Sequence, residues 1–148
     1  MKRVRNAGFT LLEILVVVMI IGLLMSVIAS RFIGRAQEAQ VTLAAPQLRQ
    51  LEQALEMYRL DNGRYPSQNQ GLEALVREPS SEPHPRNYPP GGYVRTDGIV
   101  DPWGVTYQYV TPGEHNSFSF DLLSYGPDSI AGGEGENADI VNWDSEVP

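Results

Sequence analysis

The chain has 148 residues, which fits one domain, and carries 18 acidic against 11 basic residues for a formal charge of -7. It has no cysteine, which excludes disulfides, thiolate metal sites and thiol nucleophiles, and only two histidines, His84 and His115, which leaves little for imidazole chemistry. The acidic balance argues against a nucleic-acid partner, because phosphate binding needs net positive charge.

The charge is unevenly placed. Lys2, Arg3 and Arg5 crowd the amino terminus, the last basic residue is Arg95, and ten acids follow it without a counter-charge. After the basic leader comes the run Phe9 to Ser30, 22 residues whose single charge is Glu13. As a helix it would span about 33 Å, enough for a hydrocarbon layer of about 30 Å. The flanking bases favour an amino terminus in the cytoplasm and a body outside it. A secretory signal cut after Ala29 is the competing reading, although its apolar core is usually only about 7–15 residues. Glu13 is costly in such a run. It lies four residues past Phe9, so a cut between Gly8 and Phe9 would free an amine that Glu13 of a neighbouring subunit can neutralise. A protonated Glu13 near the interface is the alternative.

Helical periodicity continues beyond the apolar run. Val41, Ala44, Leu48, Leu51, Leu55 and Tyr58 recur at alternating spacings of three and four, one apolar face that needs a globular partner. Asp61-Asn62-Gly63 and then Pro66 stop the helix, which is predicted from about Phe9 to Leu60, with Pro46 kinking or loosening it near Thr42. Gln70 to Val76 reads as a short helix ending before Pro79. Tyr107–Val110 and Ser117–Phe120 flank Thr111-Pro112-Gly113 as a hairpin. The expected fold class is α+β: a long amino-terminal helix, half anchor and half amphipathic, packed on a small antiparallel sheet with long loops.

Between Ser124 and Asp139 lies a loop containing Gly126, Gly132, Gly133 and Gly135, bracketed by Asp128 and Asp139. Calcium takes six to eight hard oxygens, carboxylates and carbonyls together, and glycines let a loop turn its carbonyls inward. No EF-hand spacing is present, and a merely solvated acidic loop is the other reading. Trp103, after Pro102, reads as a turn with a core indole. Tyr88, Tyr93, Tyr107 and Tyr109 read as packing, and His84, between two prolines, as exposed loop. No nucleophile, base and orienting acid fall together, so the chain is not expected to be an enzyme.

A short basic leader ending in Gly8, then Phe9-Thr10-Leu11-Leu12-Glu13 and a long apolar run, resembles the class III signal of type IV pilins and type II secretion pseudopilins. Leu55 to Asn62 with Tyr65-Pro66, Gln70 to Leu75, Asp101-Pro102-Trp103-Gly104 and Ala138-Asp139-Ile140 with Asn142-Trp143 narrow this to the major pseudopilins, the G subunits of type II secretion. The chain departs from the family pattern at Ser30, where many members have proline, and at Pro46. The resemblance implies a leader of residues 1–8 removed by prepilin peptidase between Gly8 and Phe9, methylation of Phe9, a filament-core and membrane helix over 9–30, and a periplasmic domain over 31–148. It implies a homopolymeric filament assembled through Glu13, with minor pseudopilins and an inner-membrane platform as partners, that drives folded proteins across the outer membrane. It further implies a calcium ion held by Asp128 and Asp139 with Tyr125, Glu136 and Ala138, in place of the disulfide of ordinary type IV pilins. A type IV pilin for adhesion or DNA uptake, and a membrane-anchored periplasmic binding domain, are the alternatives.

Overall fold

The computed structural model describes residues 9–143, and over 27–36 the backbone alone. Its main element is helix α1, Leu11–Asn62. The chain divides into two units, Met1–Gln37 and Glu38–Pro148.

In the first unit, Thr10 opens α1. Its hydroxyl accepts the Glu13 N–H at 3.2 Å, the bond by which a helix start satisfies one of its free donors. From Leu11 to Met25 the large apolar side chains are all exposed, Leu11 to 85%. Among the described residues no helix is long and apolar enough to cross a membrane. The last four residues of the predicted 22-residue span, 27–30, have side chains outside the described set.

In the second unit the same helix has an interior. Ala44, Leu48, Leu51, Leu55 and Tyr58 are buried in a row, as the spacing predicts, while Val41 is only half-buried. They pack on Leu72, Ala74 and Leu75 of the segment around α2 (Glu73–Val76), on Ile99, and on Tyr107, Tyr109, Phe120 and Leu122. The helix continues through Pro46. It ends at Asn62, whose buried amide donates to the Tyr58 carbonyl and the Tyr93 hydroxyl and accepts the N–H groups of Arg86 and Asn87. Gly63 follows at φ 74°, the left-handed turn that a glycine makes freely, and its N–H closes on the Arg59 carbonyl at 2.7 Å.

The sheet has three antiparallel strands in the order β1 (Gln108–Val110), β2 (Asp121–Ser124), β3 (Ile140–Val141). Tyr109 faces Leu122, and Leu123 faces Val141. The hairpin exists, but its second strand starts at Asp121 and not at Ser117. The physical reason is Asp121 itself. Its buried carboxylate takes the N–H groups of His115 and Asn116 at 2.8 and 2.9 Å, so residues 111–120 bond to a side chain as a loop and not to a strand. Asp101 does the same for the Asp101–Val105 turn: one oxygen accepts Trp103 and Val105 N–H groups, the other the Ser124 hydroxyl at 2.6 Å. The helix joins this turn through Gln40, which donates to the Pro102 carbonyl. Trp103 lies in this turn as expected but is only half-buried and outside the core, because the core side of the turn is taken by Ile99 and Tyr107.

Candidate functional site

Two places concentrate the predicted functional residues. At the amino-terminal end Gly8 lies outside the described residues. Phe9 is 79% exposed, and Glu13 sits in the first turn of α1. An acid there is favoured by the positive end of the helix dipole, and any amine at Phe9 is disfavoured by it. Glu13 thus stands where the helix dipole favours an acid.

The second place is the loop from Tyr125 to Asp139. It leaves β2 at Ser124, whose hydroxyl is fixed by Asp101 and accepts the Gly126 N–H at 3.2 Å. Gly126, Pro127 and Asp128 form a 3-10 turn, Gly135–Asn137 a second, and the two pack together. Gly126 is buried at φ 69°, and a side chain there would meet the Ala138 carbonyl oxygen at 3.4 Å. A side chain at Gly133 would strike the Asn137 carbonyl. Gly133 is thus required for the close approach of the Asn137 carbonyl, whereas Gly126 is needed for its left-handed φ, since 3.4 Å is ordinary contact.

Asp139 is half-buried. Its Oδ2 accepts the Gly132 N–H at 2.9 Å, whereas its Oδ1 is buried without a hydrogen-bond partner. A buried carboxylate oxygen left bare costs about 1–3 kcal/mol or more, so it calls for a cation or an equivalent donor. Asp128 is exposed and accepts the Ile130 N–H at 3.1 Å. Tyr125 and Ala138 are half-buried at the two ends of the loop, and Glu136 is exposed. Among the described residues no group of three or more His, Cys, Asp or Glu side chains is arranged to hold a metal. Asp128 and Asp139 each bond a separate backbone N–H, that of Ile130 and that of Gly132, and any oxygen site would have to draw on them together with backbone carbonyls. The donor set, hard oxygens only, fits calcium better than any transition metal.

Asn142 and Asp121 take structural roles in the sheet and the loop before it that spacing does not announce. Asn142 holds β2 and its approach, accepting the Leu122 N–H and donating to the Phe120 carbonyl. Asp121 is 2% exposed; desolvation pushes its carboxyl up, but the N–H groups of His115 and Asn116, the His115 ring and the Glu114 backbone together hold it below the ordinary value. His115 also stacks on Trp143, ring centroids 4.0 Å apart and planes 1° from parallel. The available signal was Asp121 standing next to an apolar strand in a stretch without bases, where an unpaired acid must take its partners from backbone N–H groups.

Residues 31–143 match the family described as type II secretion system (T2SS), protein G, and residues 3–29 match the prokaryotic N-terminal methylation motif. A type II secretion system core protein G of Pseudomonas aeruginosa is 46% identical over 98% of this chain and 100% of its own length. That of Klebsiella pneumoniae is 48% identical over 94% of this chain and 95% of its own. The crystal structure of the major pseudopilin from the type 2 secretion system of enterohaemorrhagic Escherichia coli is 42% identical, with a TM-score of 0.62 over 78% of this chain and 93% of that one.

Proposed function

The chain belongs to the type II secretion system protein G family, and on that footing we propose that it is the major structural subunit of the pseudopilus, polymerising through its amino-terminal helix. It is a pseudopilus subunit of type II secretion with a pilin-like α+β fold. The observation that carries the fuller reading is the join within one chain of an N-terminal methylation motif and a protein G domain, the one ending at residue 29 and the other starting at 31.

In this reading, prepilin peptidase cuts between Gly8 and Phe9 and methylates Phe9. The apolar helix then anchors the subunit in the inner membrane with its head in the periplasm. The exposed side chains of Leu11–Met25 find their burial first in lipid and then against neighbouring helices in the filament. Glu13 neutralises the Phe9 amine of the adjacent subunit. The assembly platform and minor pseudopilins are its other partners, and the work is mechanical, with no bond chemistry in the head.

Calcium belongs to the same reading. Asp139 and Asp128 would supply carboxylates, and the carbonyls of Tyr125 and Ala138, with Glu136 at the rim, the remaining oxygens. The ion would neutralise the base-free acidic segment and fix its loop. The bare Asp139 Oδ1 is what supports it.

The test is mass spectrometry of the mature subunit from secreting cells. The expected amino terminus is methylated Phe9; an intact Met1 form, or a chain beginning at Ser30, overturns the processing step. Glu13→Val should insert normally and fail to assemble. Wild-type filament levels in that variant would remove Glu13 from the mechanism.

A further inference from the structure

Strand β3 has two residues and meets β2 at two positions, Leu123 with Val141 and Ser124 with Ile140. So short a ladder holds a strand weakly. The fastening comes from the two residues that follow. The Asn142 N–H donates to the Leu122 carbonyl at 3.1 Å, and its side chain bonds the Leu122 N–H and the Phe120 carbonyl. Trp143 then lies flat on His115, ring centroids 4.0 Å apart. His115 is itself tied down, its backbone N–H at 2.8 Å and its ring Nδ1 at 3.1 Å from the same oxygen of buried Asp121. A ring fixed in this way is a platform on which a second ring stacks at little further cost in entropy.

The stack lies at the surface, with His115 exposed and Trp143 half-buried, so the core does not depend on it. Its place along the chain gives it a use. In the loop Tyr125–Asp139, residues 128–137 are all exposed. Among the described residues their hydrogen bonds stay within the loop, as from Ile130 to Asp128, from Gly132 to Asp139 and from Asn137 to Glu134. The loop is therefore held to the head at its two ends. At the entry Ser124, bonded to Asp101, fixes Gly126. At the exit Asp139 runs directly into β3, and Trp143 is four residues further on. Two contacts inside the loop need that exit to stay in place: the Ala138 carbonyl beside Gly126, and the Asp139 Oδ2 on the Gly132 N–H.

We propose that the His115–Trp143 stack is the latch of the Tyr125–Asp139 loop, holding its exit so that Asp139 is positioned for calcium, and that calcium binding and stacking strengthen each other. This rests on the calcium reading above and deepens it by naming residues that position the loop without touching the ion. A cation at the bare Asp139 Oδ1 orders the exit and so brings Trp143 onto His115. A formed stack in turn spares the cation part of that ordering. The coupling is reciprocal: the factor by which stacking raises calcium affinity is the factor by which calcium favours stacking.

The experiment is calorimetric titration of calcium chloride into the detergent-solubilised full chain. His115→Ala and Trp143→Ala should each weaken calcium binding by about threefold to tenfold, the worth of one aromatic pair. His115→Phe, which keeps a flat ring, should restore most of the affinity. The chain has two tryptophans, so Trp103→Phe leaves Trp143 as the single indole. In that background calcium should shift the Trp143 emission, chelator should reverse the shift, and His115→Ala should abolish it. In chelator His115→Ala should melt close to the unsubstituted chain, and with calcium below it. Calcium affinity unchanged in both alanine variants, or an equal drop in melting midpoint with and without calcium, makes the stack merely structural; either result overturns the coupling and leaves the calcium reading standing. If the unsubstituted chain binds no calcium, the calcium reading fails and the coupling with it.

Discussion

Helix α1 is apolar along both of its halves, but the halves meet different fates. From Leu48 to Tyr58 its apolar row is buried against the chain's own strands and turns; from Leu11 to Met25 every large apolar side chain is exposed. The first half-helix is complete only in an environment the chain does not supply, and the second is complete already. In the proposed reading, folding and assembly are written in separate stretches of the same element, and substitutions should sort accordingly.

The largest effect is expected where the comparison is sharpest. Leu55→Ala removes a fully buried side chain from the centre of the head and should cost about 2–5 kcal/mol, seen as a lower melting midpoint of the detergent-solubilised subunit. Leu15→Ala, in the exposed half, should leave that midpoint unchanged and reduce filament yield instead. If both changes lower the midpoint equally, the two halves are not independent.

Calcium comes next. A ligand that binds only the folded head stabilises it by about 2.7 kcal/mol at a hundredfold excess over Kd. Chelation should lower the midpoint of the unsubstituted subunit, and Asp139→Ala should abolish most of the difference. Magnesium, which keeps its waters, should substitute poorly. An unchanged midpoint on chelation would mark the loop as a solvated acidic segment.

Asp121→Asn is expected to cost about 1–3 kcal/mol, since the buried amide cannot accept every donor aimed at the carboxylate. The folded-state value of Asp121 lies below its unfolded one. Its contribution is therefore present above the unfolded value, near 3.8, and is lost as pH falls through the folded value. Melting from pH 6 down to pH 2 should show the unsubstituted subunit converging on the variant.

Glu52 supplies the smallest effect and the opposite sign. Desolvation against the head raises its value, Glu56 adds to this, and Asn142 and Arg49 partly offset it. A raised carboxyl favours its protonated form, so its contribution is full below the unfolded value and declines as pH rises through the folded one. Glu52→Gln should stabilise the subunit by less than about 1 kcal/mol at neutral pH and by nothing near pH 3, because the site is only half-buried. A destabilising result would mean that the charge is used by a partner.

Periodicity made α1 legible. The buried row Ala44, Leu48, Leu51, Leu55, Tyr58 stands where the alternating spacing puts it, and Asn62-Gly63 ends the helix where the stop signal lies. Motif resemblance made the family legible, from the leader to Trp143. The strands were harder, because each is only two to four residues long and side chains bond their loops. Asp121 turns a run of β-prone residues into a loop, and nothing in Ser117-Phe118-Ser119-Phe120 announces that. The carboxyl-terminal loop was read from its glycines and acids. The bare oxygen of Asp139 and the closeness of Gly126 to the Ala138 carbonyl depend on the fold and could not be read from spacing.

The small sheet has a consequence for the filament proposed above. Its two edges are β1, three residues, and β3, two residues. An open strand edge is a template on which any identical chain can lay another strand, and the filament proposed above would hold identical heads side by side. Edges this short offer too few free backbone groups to hold a visiting strand. Copies of the head would thus crowd together without fusing into amyloid-like ribbons, and the proposed filament could be taken apart again into intact subunits.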